Sequence, residues 1–175
     1  GLFGYLMEGA EIKNLEVDGF VNGYSYVAGI VGYAENAKLE NVRNYAEITG
    51  YNYLGGIAGR LENTTITNVY NHNSVTATQH YVGGLIGFTR GVNLSQGYNF
   101  GQISGNAYIG GLIGSADNST HMTYVYNRNH VYGTGNYVGG ITGYLNNGSL
   151  EQAYSAGIVR GNDPSFLGGL IGRVN

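Results

Sequence analysis

Four tyrosines recur at intervals of 28 residues, and their spacing points to a binding surface. They are Tyr70, Tyr98, Tyr126 and Tyr154. Aromatic rings with a polar tip suit the recognition of sugars or of a protein partner. Glu16 and Arg43 occupy the same position earlier in the chain, and charged side chains are almost never buried unpaired, so the whole column is predicted to face solvent. The interpretation favoured over binding is that the rings only shield the underlying sheet by stacking on one another.

The residues that carry most enzymatic chemistry are few and scattered. Four histidines fall at unrelated positions of the repeat described below: His72, His80, His121 and His130. Asp18, Asp117 and Asp163 are equally dispersed, so neither a metal site nor the paired carboxylates of a solenoid glycosidase or lyase is predicted. The H-E-x-x-H, G-x-S-x-G and P-loop motifs have no match. No catalytic residue, cofactor or metal is assigned, and the segment is predicted not to be an enzyme.

A Gly-x-x-Gly motif recurs seven times and sets the organisation of the chain. Its copies begin at residues 1, 29, 56, 84, 111, 140 and 169. Steps of 27 to 29 residues indicate one structural unit copied along an axis. Residues 1–175 are therefore predicted to form a single repeat segment of a larger protein, with six full repeats and a partial seventh.

The chemistry of the repeat predicts an all-β fold, a parallel β-solenoid of about six stacked coils. Gly accounts for 32 of the 175 residues, which disfavours long helices. Short β-branched runs broken by Gly, Asn and Ser are typical of strands and turns. Four columns are always apolar and are predicted to point inward. One of them contains Leu2, Ile30, Ile57, Leu85, Leu112, Ile141 and Leu170. The others begin at Ile12, Val21 and Val27.

Other columns predict how the coil turns. The glycines that precede each Leu or Ile of the motif suit a corner that needs positive φ or a close backbone approach. A column rich in Gly and Asn is predicted to supply left-handed corner residues. It contains Gly19, Ala46, Asn73, Gly101, Asn129 and Gly157. An aromatic column is predicted to pack at another corner. It contains Tyr26, Tyr53, Tyr81, Tyr108, Tyr137 and Phe166.

A column of amides is predicted to hold the interior together. It contains Val17, Asn44, Asn71, Asn99, Asn127 and Ser155. Stacked asparagines can hydrogen-bond to their own copies above and below, and a structural ladder is favoured over a ligand role. Neutral amides without matching carboxylates are a poor calcium site.

Composition excludes several classes of partner. The formal net charge is −3 and charged residues make up 11% of the chain, so there is no basic footprint for nucleic acid. No apolar run approaches the length of a membrane span, and membrane insertion is not expected. Cysteine is absent, which excludes disulfides. Four N-x-S/T sequons begin at Asn63, Asn93, Asn118 and Asn147, although such matches carry little weight alone in a chain rich in these residues.

The unit Tyr-Val-Gly-Gly-Leu-Ile-Gly, followed by an Asn-Val-Tyr-Asn-like segment and a Val-x-Gly segment, resembles the GLUG repeat. Clear copies are residues 81–87 with 94–105, and 108–114 with 122–133. The similarity covers essentially the whole chain, and the first repeat departs from it at Glu16 and Val17. GLUG repeats occur in the N-terminal regions of IgA-specific zinc metallopeptidases and in filamentous, haemagglutinin-like adhesins. The resemblance therefore implies a bacterial cell-surface or secreted, extracellular protein. No catalytic residue of that peptidase family carries over, because its zinc motif has no match.

Three functions follow as hypotheses. The first is a non-enzymatic repeat module of a surface or secreted protein, serving as a stalk or as an adhesion and interaction surface. The second is an accessory region that positions substrate for a zinc metallopeptidase domain elsewhere in the polypeptide. The third is a carbohydrate-binding surface built on the tyrosine column. The expected partners are a host glycoprotein or glycan and neighbouring domains of the same polypeptide.

Overall fold

The computed structural model describes residues 1–163 and 165–175 in full and the backbone of residue 164. It is a parallel β-solenoid of six coils, as the repeat predicts, with all strand pairs parallel and in register between successive coils. Successive coils lie about 4.8 Å apart, the spacing of hydrogen-bonded strands. No α-helix occurs among the described residues, and one short 3-10 turn spans Pro164–Phe166.

Three sheets form the faces of the solenoid. Sheet A has seven strands, each beginning in or just after a glycine motif. They are β1 (Phe3–Leu6), β4 (Val31–Glu35), β7 (Ala58–Glu62), β11 (Ile86–Arg90), β15 (Ile113–Asp117), β19 (Thr142–Leu145) and β23 (Ile171–Val174). Sheet B has six strands of seven residues each. They are β2 (Glu11–Val17), β5 (Lys38–Asn44), β8 (Thr65–Asn71), β12 (Asn93–Asn99), β16 (His121–Asn127) and β20 (Ser149–Ser155).

Sheet C begins as two long strands and then divides into two arms. The long strands are β3 (Phe20–Ala28) and β6 (Glu47–Gly55). One arm continues with β9 (Val75–Ala77), β13 (Ile103–Gly105), β17 (Val131–Gly133) and β21 (Val159–Arg160). The other continues with β10 (Val82–Gly83), β14 (Ile109–Gly110), β18 (Val138–Gly139) and β22 (Leu167–Gly168).

The four apolar columns point inward, as predicted. Ile30, Ile57, Leu85 and Leu112 are fully buried, whereas Leu2 and Leu170 of the same column are 58% and 42% exposed. The difference arises because an outer coil has a neighbour on only one side. The interior consists of two hydrophobic clusters, one beneath sheets A and B and one beneath sheet C.

The predicted asparagine ladder lies between these two clusters. Asn44 Nδ2 donates to Asn71 Oδ1 at 2.8 Å, Asn71 to Asn99 at 2.7 Å, and Asn99 to Asn127 at 2.8 Å. Each amide also donates to the carbonyl oxygen two residues further along its own coil, at 2.7–2.8 Å. All four side chains are fully buried, so these bonds compensate for the desolvation of the amides.

The predicted left-handed column of Gly and Asn is wrong in five of its six members, because only Gly19 has a positive φ. Glycine is needed there for space instead. A Cβ on Gly101 would lie 1.8 Å from the carbonyl oxygen of Asn73, and a Cβ on Gly157 equally close to that of Asn129. None of the described Gly-x-x-Gly glycines has a positive φ, and all except Gly4 and Gly169 serve close approach.

The left-handed corner residues include tyrosines. Tyr26, Tyr53, Tyr81, Tyr108 and Tyr137 have φ values of 55–62°. With Phe166 they form a continuous stack of rings with centroids 4.7–4.9 Å apart, which confirms their packing role at a corner. The second glycine of each motif lies against this corner, because a Cβ on Gly87 would be 2.7 Å from the carbonyl oxygen of Tyr81.

Shortening a core side chain should therefore cost far more in a middle coil than in an outer one. We expect Leu112→Ala to lower the free energy of unfolding by about 2–5 kcal/mol, since Leu112 is fully buried. Leu170→Ala, in the same column, is the matched control and should cost much less. Chemical denaturation of both variants measures the difference, and equal losses would contradict the inward placement of this column.

Interrupting the amide ladder should also destabilise the fold. Asn99→Ala removes a partner from Asn71, Asn127 and Gly101, and each buried group left unpaired costs roughly 1–3 kcal/mol. Asn22, whose exposed amide bonds to Thr49, provides the control variant Asn22→Ala. Thermal melts should show a large loss for the first variant and a small one for the second. A small loss for Asn99→Ala would mean that the ladder contributes little.

Candidate functional site

The tyrosine column lies on the outer face of sheet B, as the sequence predicts. Tyr70, Tyr98, Tyr126 and Tyr154 are in register on successive strands. The first three are partly exposed and Tyr154 is 59% exposed. The residues on either side of the first three tyrosines, such as Gly97 and Asn99 around Tyr98, are buried, which fixes the outward direction of the ring. The proposed role of this column in binding a partner stays a prediction.

Three of these rings lie one above the other along the solenoid axis, with planes tilted by 48° and 34° to one another. The ring centroids of Tyr70 and Tyr98 are 4.8 Å apart, and those of Tyr98 and Tyr126 are 4.4 Å apart. The guanidinium of Arg43 extends the stack, 5.2 Å from the centroid of Tyr70. The ring of Tyr98 is therefore covered on both sides by its neighbours. The pKa of its hydroxyl is raised, mainly by burial and to a smaller extent by the adjacent Tyr70 and Tyr126. What a partner meets here is mostly ring edges and phenol hydroxyls.

A second aromatic row, which the sequence analysis missed, runs beside the first. Tyr45, His72 and Phe100 stack almost in parallel, with centroids 4.5 and 5.1 Å apart and interplanar angles of 7° and 5°. The two rows touch, since the rings of Phe100 and Tyr126 meet edge to face at 5.7 Å. These residues follow the buried asparagines by one position, so the alternation that placed Tyr70 outward would have found them as well.

A row of mostly amide side chains flanks the tyrosines on their other side. The fourth residue of every sheet B strand has a left-handed φ, and it allows two successive side chains to point outward. These residues are Asn14, Asn41, Asn68, Gln96, Tyr124 and Gln152. Asn41 Nδ2 donates to Asn14 Oδ1 at 2.6 Å, and Asn68 Nδ2 to Asn41 Oδ1 at 3.1 Å. Strict alternation does not reveal this bulge, and the sequence analysis missed it.

The ion pairs of this face lie in the first two coils. Glu11 pairs with Lys13 at 2.7 Å and Lys38 with Glu40 at 2.9 Å. The order of the signs is reversed between the coils, so Glu11 lies in register with Lys38 and Lys13 with Glu40. The pKa of Glu11 is lowered, first by its hydrogen bond to Lys13 and second by the positive charge of Lys13. This reversal avoids like charges on adjacent strands, which would repel one another.

An open groove lies at the charged end of the face, lined by Asn14, Glu16, Asn41 and Arg43. Arg43 donates to the Glu16 carboxylate at 3.1 Å, which holds one wall of the groove. In the third to fifth coils, Thr67, Ser95 and Thr123 replace the acid–base pairs, and tyrosines replace Glu16 and Arg43. Charge returns at Arg128, after the fifth strand of sheet B, and at Glu151, which is in register with Thr123. The face therefore changes from a charged groove to a surface made mostly of hydroxyls, amides and ring edges.

The scattered histidines and acids remain scattered in the fold. No cluster of three or more His, Asp or Glu side chains able to hold a metal ion occurs in the described part of the chain. His121 Nδ1 bonds to Ser149 at 2.8 Å, and His130 Nδ1 accepts from the backbone N–H of Ile158 at 3.0 Å. Their interactions are those of structural side chains. Among the described residues there is no helix that is long and apolar enough to cross a membrane.

Comparison with known families identifies one segment. Residues 50–76 match the family model described as the GLUG motif. This segment covers the end of β6, all of β7 and β8, and most of β9, and it includes the glycine pair Gly56 and Gly59, Tyr70 and the ladder residue Asn71. No match is found among curated proteins or among solved structures.

The surroundings of His72 allow a test of the two-row geometry. Burial and then the nearby Arg43 guanidinium lower the pKa of His72, while Glu16 acts in the opposite direction. The folded state therefore favours the neutral form of the His72 ring. The stability that His72 contributes is fully present above the ordinary histidine pKa, and it is lost as the pH falls through the lowered pKa of the folded state. We expect Arg43→Gln to raise the pKa of His72 in an NMR titration. Arg160→Gln, on sheet C, is the control, and an unchanged His72 pKa in the Arg43 variant would contradict the arrangement.

Proposed function

Because the chain is a GLUG-repeat protein, we propose that it is a non-enzymatic module of a bacterial cell-surface or secreted protein and that it provides both a rigid stalk and an interaction surface. The observation that carries this proposal is the aromatic face of sheet B, which is built from the same columns coil after coil. Repeat folds of this kind typically present extended surfaces and not a closed cleft.

The stalk role is supported by the way in which the coils are joined. Backbone bonds of all three sheets and the side-chain ladder of Asn44, Asn71, Asn99 and Asn127 run along the axis. Each repeat of about 28 residues adds about 4.8 Å of rise, the spacing of hydrogen-bonded strands. Such a solenoid resists bending, because a bend would break the hydrogen bonds between coils on the outer side of the bend.

The interaction role is supported by the composition of the outer face around Tyr70, Tyr98 and Tyr126. Aromatic side chains are enriched in the cores of protein interfaces, and charged side chains are depleted there. Tyr70, Tyr98 and Tyr126 are already held by stacking, so ordering them on binding costs little conformational entropy. A partner that approaches this face meets hydroxyls and electropositive ring edges, and we expect it to present hydrogen-bond acceptors.

Carbohydrate binding is the second candidate, and a specific observation favours it. Tyr154 lies in register with Tyr126 and is 59% exposed, and Tyr124, in the flanking row, is 57% exposed. These two rings are the most exposed aromatic surfaces on this face, next to the amide of Gln152. We expect a glycan to contact this end of the face, where rings and hydrogen-bonding groups lie side by side. The role as a substrate-positioning region of a metallopeptidase stays a prediction from the resemblance.

The interaction role is tested by removing two tyrosines from the face. We expect Tyr98→Ala combined with Tyr126→Ala to raise the Kd for a bound glycoprotein or glycan by at least about tenfold, because central interface aromatics often contribute 2 kcal/mol or more each. Binding is measured with immobilised immunoglobulin A and a glycan array, and far-UV circular dichroism verifies the fold.

The matched control removes a tyrosine pair from another face. Tyr24 and Tyr51 stack at 4.7 Å on sheet C, so Tyr24→Ala with Tyr51→Ala deletes the same groups elsewhere. Equal losses in both double variants would contradict a specific role for the sheet B face. A chain that binds neither probe would contradict the interaction role for these partner classes and leave the stalk role standing.

A further inference from the structure

The four N-x-S/T sequons of the chain come together on one edge of the solenoid. In the sequence they begin at Asn63, Asn93, Asn118 and Asn147, one in each of the third to sixth coils. Asn63 directly follows strand β7 and Asn118 directly follows β15, while Asn147 lies between β19 and β20. Asn93 is the first residue of β12. All four therefore lie at the corner that joins sheet A to sheet B.

The four asparagine side chains are exposed and unengaged. All four are in the exposed class, in contrast to the buried asparagines of the ladder. Most other asparagines of the chain are bonded through their side chains, as Asn41 and Asn68 are on the outer face and Asn146 is to Asp117. The side-chain amides of the four sequon residues form no hydrogen bond with any other described residue. Their Nδ2 atoms are free to react.

Corner geometry explains why asparagine occurs at three of the four sequons but not at the fourth. Asn63, Asn118 and Asn147 have left-handed φ values of 40–52°, which asparagine tolerates well. In the fourth coil, however, Gly91 supplies a left-handed corner residue with a φ of 62°. Asn93 lies two residues further on, in a strand, where the corner does not require asparagine. The sequon is thus present in this coil although the corner residue is different.

The hydroxyl residues of the four sequons differ in accessibility. Thr120 is fully buried and donates to the Asp117 carbonyl at 2.8 Å, so it has a structural role. Thr65 is exposed, and Ser95 and Ser149 are partly exposed. These three hydroxyls are accessible together with the asparagines they follow, as a transferase that recognises the sequon requires.

We propose that this edge is a row of N-glycosylation sites. In the modification, the side-chain nitrogen of asparagine attacks the anomeric carbon of a sugar carried on a diphosphate. The bond from that carbon to the diphosphate oxygen breaks, the diphosphate leaves with the electron pair, and a proton from the amide passes to the base of the transferase. Attached sugars would project from the corner and would border the outer face of sheet B. The proposal does not depend on what the tyrosines bind.

Peptide mass spectrometry of the protein isolated from the cells that produce it tests this proposal. We expect the mass of a sugar or oligosaccharide on peptides that contain Asn63, Asn93 or Asn147, whereas Asn118 should stay unmodified because the hydroxyl residue of its sequon, Thr120, is buried. A single-sugar mass would indicate a nucleotide-linked donor, and a larger, preassembled mass would indicate a lipid-linked donor. Peptides with Asn36 and Asn136, which are not followed by the required hydroxyl, are the internal controls and should be unmodified.

Matched variants separate recognition of the sequon from exposure alone. Asn93→Gln and Ser95→Ala should each abolish the added mass at the fourth-coil site, the second of them without changing the asparagine. Both positions lie at the surface, so circular dichroism should be unchanged. Four unmodified sequon asparagines would overturn the proposal. Modification at Asn36 or Asn136, or modification of Asn93 that persists in Ser95→Ala, would also overturn it.

Discussion

The structure depends on the close approach of a glycine and an asparagine inside each of the second to fifth coils. A Cβ on Gly56 would lie 2.3 Å from Asn71 Oδ1, and a Cβ on Gly84 would lie 2.4 Å from Asn99 Cγ. The amide occupies the space that a side chain on the glycine would need. The first glycine of the motif and the asparagine 15 or 16 residues later therefore act as one unit. This unit separates the two hydrophobic clusters and places a polar, directional ladder between them, which fixes the register of the coils.

A fixed register turns each repeated residue into a stripe on the surface. Because equivalent residues lie about 4.8 Å apart, neutral side chains gain from stacking on their own copies whereas like charges repel. Tyr70, Tyr98 and Tyr126 form such a favourable stripe. On sheet B the order of the charges alternates between the first two coils, as Glu11 and Lys38 show. The architecture therefore disfavours rows of like charge, which agrees with the low content of charged residues, 11%.

The same rule determines how side chains are grouped on the surface of this fold. In-register coils bring like residues together in rows along the faces and edges. The rows on sheet B combine rings, hydroxyls and amides, which suits the proposed recognition of an extended partner. The corner between sheets A and B combines exposed asparagines with hydroxyls, which suits the proposed modification. Each row can be lengthened simply by adding repeats.

The sequence alone determined the repeat length, the inward apolar columns, the asparagine ladder and the outward direction of Tyr98. Each of these depends on one residue type recurring at one interval, and that pattern is visible in the chain itself. It did not determine where the backbone becomes left-handed. Gly101 was expected there, whereas Tyr81 and Gln96 adopt that conformation, because the need for glycine arises from atoms of another coil. The contact between the two aromatic rows, made by Tyr126 with Phe100 and by Tyr70 with His72, and the gathering of four sequons at one corner, were likewise decided only by the tertiary structure. Both depend on where the coil bends, and the bends are set by contacts between segments that are distant in the chain.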